Sequence, residues 1–249
     1  MSIRGTDAVS GTGGKASGVQ RWMLWAGIIA PLLFFVVFML DGFLKPGYSV
    51  DNEAISYLEV GSYGWIQQAN FILFGLLLLA FMLGYRQRMR PILGRNWLYA
   101  GCIFLALSDL GWVLAGLFIP NTFLAPQFGW PAILHQIAFD SVFLPLTIAW
   151  LILGLRCIMT RHWRIYGIYS LIIGIPLFIF TAIAVINLLD PALVAGFIGN
   201  PNSPHDGIIN RVMLVIAPLA WYIISATAVM LRTAPQAAPS AVVDAGAAS

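Results

Sequence analysis

Six apolar runs, at residues 22–40, 66–85, 97–118, 132–157, 165–188 and 211–231, take up most of the chain and constrain everything else in it. Each is long enough to cross about 30 Å of hydrocarbon at about 1.5 Å per residue. Lipid offers no water to backbone N–H and C=O groups, so a crossing segment of this length satisfies them internally as a helix. The expected fold class is therefore an all-α integral membrane protein, a bundle of six transmembrane helices. Composition agrees: 60% of the 249 residues are apolar and 9% are charged, against about 25% charged in soluble domains. A soluble enzyme, a nucleic-acid binder and a disulfide scaffold are excluded, and no nucleic-acid partner is expected.

Basic residues set the expected orientation. Of the 13 Lys and Arg residues, eleven fall in the N-tail, the second and fourth connections and the C-tail, leaving Lys45 and Arg211 on the other side. Arginine and lysine concentrate on the cytoplasmic side, so both termini are expected there. Residues 1–20 are rich in Gly, Ser, Thr and Ala, and residues 233–249 form an Ala/Pro tract. Neither buries enough apolar surface to offset its ordering entropy, so both are expected to be disordered tails flanking a membrane domain at 21–232. The first run is too long for the apolar core of a signal peptide and is followed by Asp41-Gly42-Phe43-Leu44-Lys45 rather than a small-residue cleavage site, so it reads as a retained helix. The expected location is a bacterial cytoplasmic membrane.

Two acids lie inside the runs, Asp109 and Asp140. A charged acid at the bilayer centre costs about 2.5–3.5 kcal/mol on insertion scales, so each needs a partner, a wet cavity or a proton. Counted from the outer ends of their helices, both sit at similar depth, and the helices are expected to be antiparallel neighbours. Carboxylates held close share a proton, so Asp109 and Asp140 are the candidate acid/base pair. The competing structural interpretation makes each of them, with its neighbour Ser108 or Ser141, an interhelical hydrogen bond.

Other polar residues gather in the outer half. Asn70, His135, Asn187 and Arg211 are candidates for holding the polar end of a substrate, above an apolar floor. Arg211, a strong fixed cation at that boundary, is expected to pair with Asp140 or Asp190, or to clamp an anionic headgroup; otherwise it snorkels at the interface. His135 lies about 500° around its helix from Asp140, off its line, and bonding the adjacent loop is its plainer role. Three histidines, His135, His162 and His205, divided between the two sides, do not make a metal site, and no metal or cofactor is expected. Cys102 and Cys157 read as packing residues. Trp22, Trp25, Trp65, Tyr85, Trp97, Trp130, Trp163 and Tyr166 sit at run ends and read as interfacial anchors.

The order Gly47-Tyr48-Ser49, Ser56-Tyr57-Leu58 with Gly61, Gly64-Trp65 with Asn70-Phe71 and Gly75, then Gly129 and His135, resembles the bacterial six-helix membrane family catalogued as domain of unknown function 998. The resemblance spans most of 22–231. Through likeness to six-helix proteins of lipid handling, it implies a lipid-related role by analogy of fold. It also implies an acid before the arginine that opens the sixth run, where this chain has Asn210.

Three functions follow as expectations. One is a membrane enzyme acting on a lipid or isoprenoid-like substrate by acid/base chemistry, such as a proton-initiated cyclisation. The others are a non-catalytic lipid-binding or accessory membrane protein and a proton-coupled transporter. The expected partners are membrane lipids and a hydrophobic small molecule.

Overall fold

The computed structural model describes residues 18–120, 130–189 and 206–233. Its helices are α1 (Gly18–Leu44), α2 (Gly64–Leu93), α3 (Arg95–Leu117), α4 (Trp130–Ile158), α5 (Arg164–Leu189), a short α6 (Asp206–Ile209) and α7 (Ala217–Arg232). Tight 3-10 turns occupy Ile55–Glu59 and Arg161–Trp163, and a π-helical stretch, Asn210–Ile216, joins α6 to α7. Among the described residues no strand forms. The tails expected at 1–20 and 233–249 lie almost wholly outside the described residues.

Among the described residues five helices are long and apolar enough to cross a membrane, and α7, at 16 residues, is shorter. The regular sixth helix expected over 211–231 is corrected accordingly: α-helical geometry in that run begins only at Ala217. Pro218 has no N–H to give to the Leu214 carbonyl, and the wider π-helical register lies immediately ahead of it.

The helices pack in sequence, α1 on α2, α2 on α3, α3 on α4 and α4 on α5, and α7 returns against α1. Helix α7 fills the interior through two fully buried neighbours, Trp221 and Tyr222. Trp221 lies 5.3 Å from Trp150 of α4 and donates to Ser170 Oγ of α5 at 3.0 Å. Tyr222 lies edge-on to Phe81 of α2 at 5.7 Å and donates to Asp109 of α3. Lipid-like surroundings give helices no apolar reason to associate, so close backbone contact carries the packing. A Cβ on Gly167 would come within 2.6 Å of the Gly154 carbonyl oxygen, so only glycine lets α4 and α5 meet there. Leu32, Val36, Leu76, Ile103, Leu107 and Ile172 are exposed on the outside of the bundle, as a lipid-facing surface requires.

Arginines knit one end together. Arg156 donates to the Leu93 carbonyl at 2.9 Å, Arg88 to Thr233 at 3.2 Å and Arg232 to His162 at 2.5 Å, which ties the connections and the end of α7 to one another. Cys102 and Cys157 are free and buried. Trp22, Trp25, Trp65, Trp97 and Trp130 are exposed, consistent with interfacial anchors, whereas Tyr85, Trp163 and Tyr166 are buried in the core and are corrected from that role. Tyr166 shares a hydrogen bond with Ser225 of α7, and so is fixed by packing. The opposite end carries the long 45–63 connection and is called the loop end below.

Candidate functional site

The 45–63 connection folds back onto the bundle because basic side chains gather its carbonyls. Arg211, on the π-helical stretch, is 8% exposed and donates through one nitrogen to Val50 at 2.5 Å and to Glu53 and Gly207 at 2.9 Å. Its other terminal nitrogen bonds the Tyr48 hydroxyl, and the guanidinium lies 5.6 Å over the Tyr48 ring. Burial, opposed by Arg211, pushes the Tyr48 hydroxyl up to about 12, so it keeps its proton and donates to the Ala54 carbonyl at 3.1 Å. The two terminal nitrogens of Arg211 are thus spent on backbone carbonyls and the Tyr48 hydroxyl, while Nε has no partner among the described residues, and the expected pairing with Asp140 is corrected: the folded-back backbone occupies the fork. Asp190, His205 and the side chain of Asn187 lie outside the described residues.

Lys45, just past α1, performs the same service one turn further on. Its ammonium donates to the Tyr57 carbonyl at 2.5 Å and to Val60 at 2.7 Å, clasping both sides of the Ile55–Glu59 turn. Burial lowers its pKa, against the pull of Asp41 and Glu53. The turn then meets α2 at Gly64, where any Cβ would overlap the Glu59 carbonyl.

This folding buries Glu59, which is 1% exposed. Neither of its carboxyl oxygens has a hydrogen-bond partner among the described residues. Burial raises its pKa from 4.5 to about 9, so Glu59 carries a proton at neutral pH. Its Oε1 lies 3.9 Å from Nδ1 of His135 on α4. That ring nitrogen is also 2.5 Å from the Phe118 carbonyl and 3.2 Å from Ala115, so it carries the hydrogen and leaves Nε2 with the lone pair.

His135 lines a small cavity of about 30 Å³ beneath the turn. Phe34, Phe71, Trp112, Phe139 and Phe143 wall it, and Ile55 and Ser56 come from the turn itself. Phe71 stacks on Trp112 at 5.5 Å, and Phe143 meets Trp112 edge-on at 5.6 Å, which fixes the walls. The Trp112 indole N–H has no partner among the described residues. Its size suits about one water rather than a lipid. Glu59 does not line the chamber itself; its carboxyl lies beside the His135 ring, and a carboxylic acid next to an imidazole can hold and return a proton.

The two candidate acids, Asp109 and Asp140, have different hydrogen-bond partners. Asp109 is fully buried and accepts from Tyr222 of α7 at 2.7 Å, while its second oxygen has no partner among the described residues. Asp140 is partly buried and accepts from Gln136, one turn earlier on its own helix, at 3.3 Å. Each carboxyl has its own partner. Helix α3 meets α4 at Gly111, against Ser141 and Val142, while Asp109 is engaged with α7. Asn70 is buried and donates to the Phe34 carbonyl of α1 and to Gln67, both at 3.2 Å, so it is engaged in joining α1 to α2. Of the candidates from sequence, His135 alone lines the chamber; Glu59 was not among them.

A helical, multi-pass membrane protein with a small aromatic chamber under a folded-back connection at one end is the class that this architecture defines. Within it, the chain belongs to the family described as Protein of unknown function (DUF998), which it matches over residues 28–228. No curated protein and no solved structure matches it.

Proposed function

We propose that the protein is a membrane enzyme that carries out acid/base chemistry on an amphiphilic, lipid or isoprenoid-like substrate at the loop end of the bundle. The observation that carries the proposal is the Glu59 carboxyl, buried without a hydrogen-bond partner among the described residues and 3.9 Å from His135 at the wall of an aromatic chamber. Leaving a buried acid unpaired costs stability, and such groups cluster where a proton is to be moved. In this scheme Glu59 supplies a proton and the free Nε2 of His135 receives one. Asp109 and Asp140 then serve packing, consistent with their separate partners. The eleven-to-two distribution of Lys and Arg supports a loop end that faces away from the cytoplasm, with both termini on the cytoplasmic side of the membrane.

The test incubates the purified protein with membrane-lipid and isoprenoid extracts and follows their composition by mass spectrometry. Conversion of a lipid species by the native chain, lost in Glu59→Gln and in His135→Asn while both variants remain folded at the assay temperature, is the expected result. A lipid that copurifies unchanged with all three forms would overturn catalysis. It would favour a non-catalytic lipid-binding protein.

A further inference from the structure

The other side of the same turn borders a larger space. A cleft of about 610 Å³ lies between the end of α1 and residues 58–66, lined among others by Asp41, Lys45, Leu58, Gly61, Ser62 and Tyr63. That is the size range of small-molecule sites. Its two charged members are four residues apart on one helical turn, the spacing at which an acid and a lysine ordinarily pair. They do not pair here. The Lys45 ammonium is turned to the carbonyls of Tyr57 and Val60, and Asp41 Oδ2 is left with no partner among the described residues although Asp41 is only 9% exposed. The ammonium has three donors and spends two, so one remains. The cleft thus holds one buried acceptor and one spare cationic donor, set apart from each other.

Its position narrows the class of ligand. Leu40, Phe43 and Leu44 of α1 are 57%, 74% and 78% exposed beside it, and Tyr63 and Trp65 are exposed at the start of α2. An apolar helix end ringed by tyrosine and tryptophan marks the interfacial level of a bilayer, where headgroups lie beside acyl chains. A ligand there presents its polar end to the cleft and its chains to the exposed face of α1. An unpartnered carboxyl asks for N–H donors, which a primary ammonium has and a trimethylammonium lacks, while the spare Lys45 donor asks for an anionic oxygen.

We propose that this cleft binds the headgroup of an aminophospholipid, with its primary ammonium on Asp41 and its phosphate on Lys45. The site stands on its own residues and holds whether or not Glu59 and His135 perform chemistry.

Native mass spectrometry of the full chain in detergent, titrated with dihexanoyl phosphatidylethanolamine, phosphatidylcholine or phosphatidylglycerol, tests it. Phosphatidylethanolamine is expected to bind at least about tenfold more tightly than phosphatidylcholine, the size of one charge-assisted hydrogen bond. Asp41→Asn keeps the side chain's volume and is expected to bring that ratio to about one, with little change for phosphatidylglycerol. Ser62→Trp, which fills the cleft from an exposed position and leaves Asp41 in place, is expected to weaken binding of phosphatidylethanolamine and so decides the matter if Asp41→Asn does not fold. Equal binding of phosphatidylethanolamine and phosphatidylcholine by the native chain, or an undiminished preference in Asp41→Asn or in Ser62→Trp, would overturn the proposal. Binding of soluble phosphoethanolamine without binding of the lipid would overturn its assignment to a membrane lipid.

Discussion

Replacing Glu59 by Gln removes a proton from the folding equilibrium while keeping the shape of the side chain. The folded state raises the Glu59 pKa from 4.5 to about 9, through burial alone. The sign follows from which state holds the proton. Across that window the folded chain keeps it and the unfolded chain gives it up, so Glu59 leaves stability whole below about pH 4.5 and subtracts from it as the pH rises toward about 9. The slope is on the order of 1 kcal/mol per pH unit. Glutamine has no proton to lose, but it brings two N–H donors into a pocket without acceptors, at a cost of about 1–3 kcal/mol that does not vary with pH. Near pH 4.5 the variant is therefore expected to be the less stable protein and near pH 9 the more stable one, with the curves crossing about pH 5–7. Chemical unfolding of the detergent-solubilised protein, followed by tryptophan fluorescence across that range, measures the difference, and titrations common to both proteins cancel in it. Parallel curves would refute a buried neutral Glu59. A deficit that grows with pH would show an ionised Glu59 paired with a charged His135 instead.

Three further substitutions probe how the site is held. Gly64→Ala places a methyl group against the Glu59 carbonyl and is expected to cost about 1–3 kcal/mol, read as a lower melting temperature. Arg211→Met strips donors from the carbonyls of Val50, Glu53 and Gly207 and is expected to raise amide exchange and proteolysis in the 45–63 connection, with Arg211→Lys intermediate because it lacks the planar fork. Tyr222→Phe takes the donor from buried Asp109 and is expected to cost about 1–3 kcal/mol, more than Asp109→Asn, which retains an acceptor for the hydroxyl. Equal losses in those last two would show that the pair is not what holds α7 in place.

The helices could be read from the sequence because lipid leaves an apolar run of that length only one way to satisfy its backbone. The basic end was equally plain, although hydropathy gives no hint that Arg156, Arg88 and Arg232 also bind the connections to one another. What stayed hidden depends on rotation and on return paths. Asp109 stands out as a buried acid, yet its partner Tyr222 lies on a helix 113 residues away in the chain, and no period within either run points one at the other. Tyr85 and Tyr166 sit at run ends like interfacial anchors, but their faces turn inward. Glu59 lies in a connection between two apolar runs, where acids ordinarily face water. Its burial comes from a 3-10 turn folding back over the bundle, a tertiary event. The available signal was its place directly after Ser56-Tyr57-Leu58, among the residues that carry the family resemblance.

The Ile55–Glu59 turn is a partition, and its two faces border two different spaces. Ile55 and Ser56 close the aromatic chamber on one side, while Leu58, with Val60 just beyond the turn, lines the cleft on the other. A 3-10 turn of five residues has too few hydrogen bonds of its own to hold such a position. Side chains from outside it do so instead: Lys45 takes the carbonyls of Tyr57 and Val60, Tyr48 that of Ala54, and Arg211 those of Val50 and Glu53. All of these clamps except Arg211 lie within sixteen residues of one another, and Arg211 attaches the whole connection to the irregular start of the last crossing. The position of the Glu59 carboxyl is therefore fixed by polar contacts at the membrane surface, where water can compete for them, whereas Phe34, Phe71 and Trp112 beneath it are fixed by packing that water does not reach. A packed aromatic floor thus lies under a polar roof that is clamped separately, so the connection can loosen without unpacking the bundle beneath it.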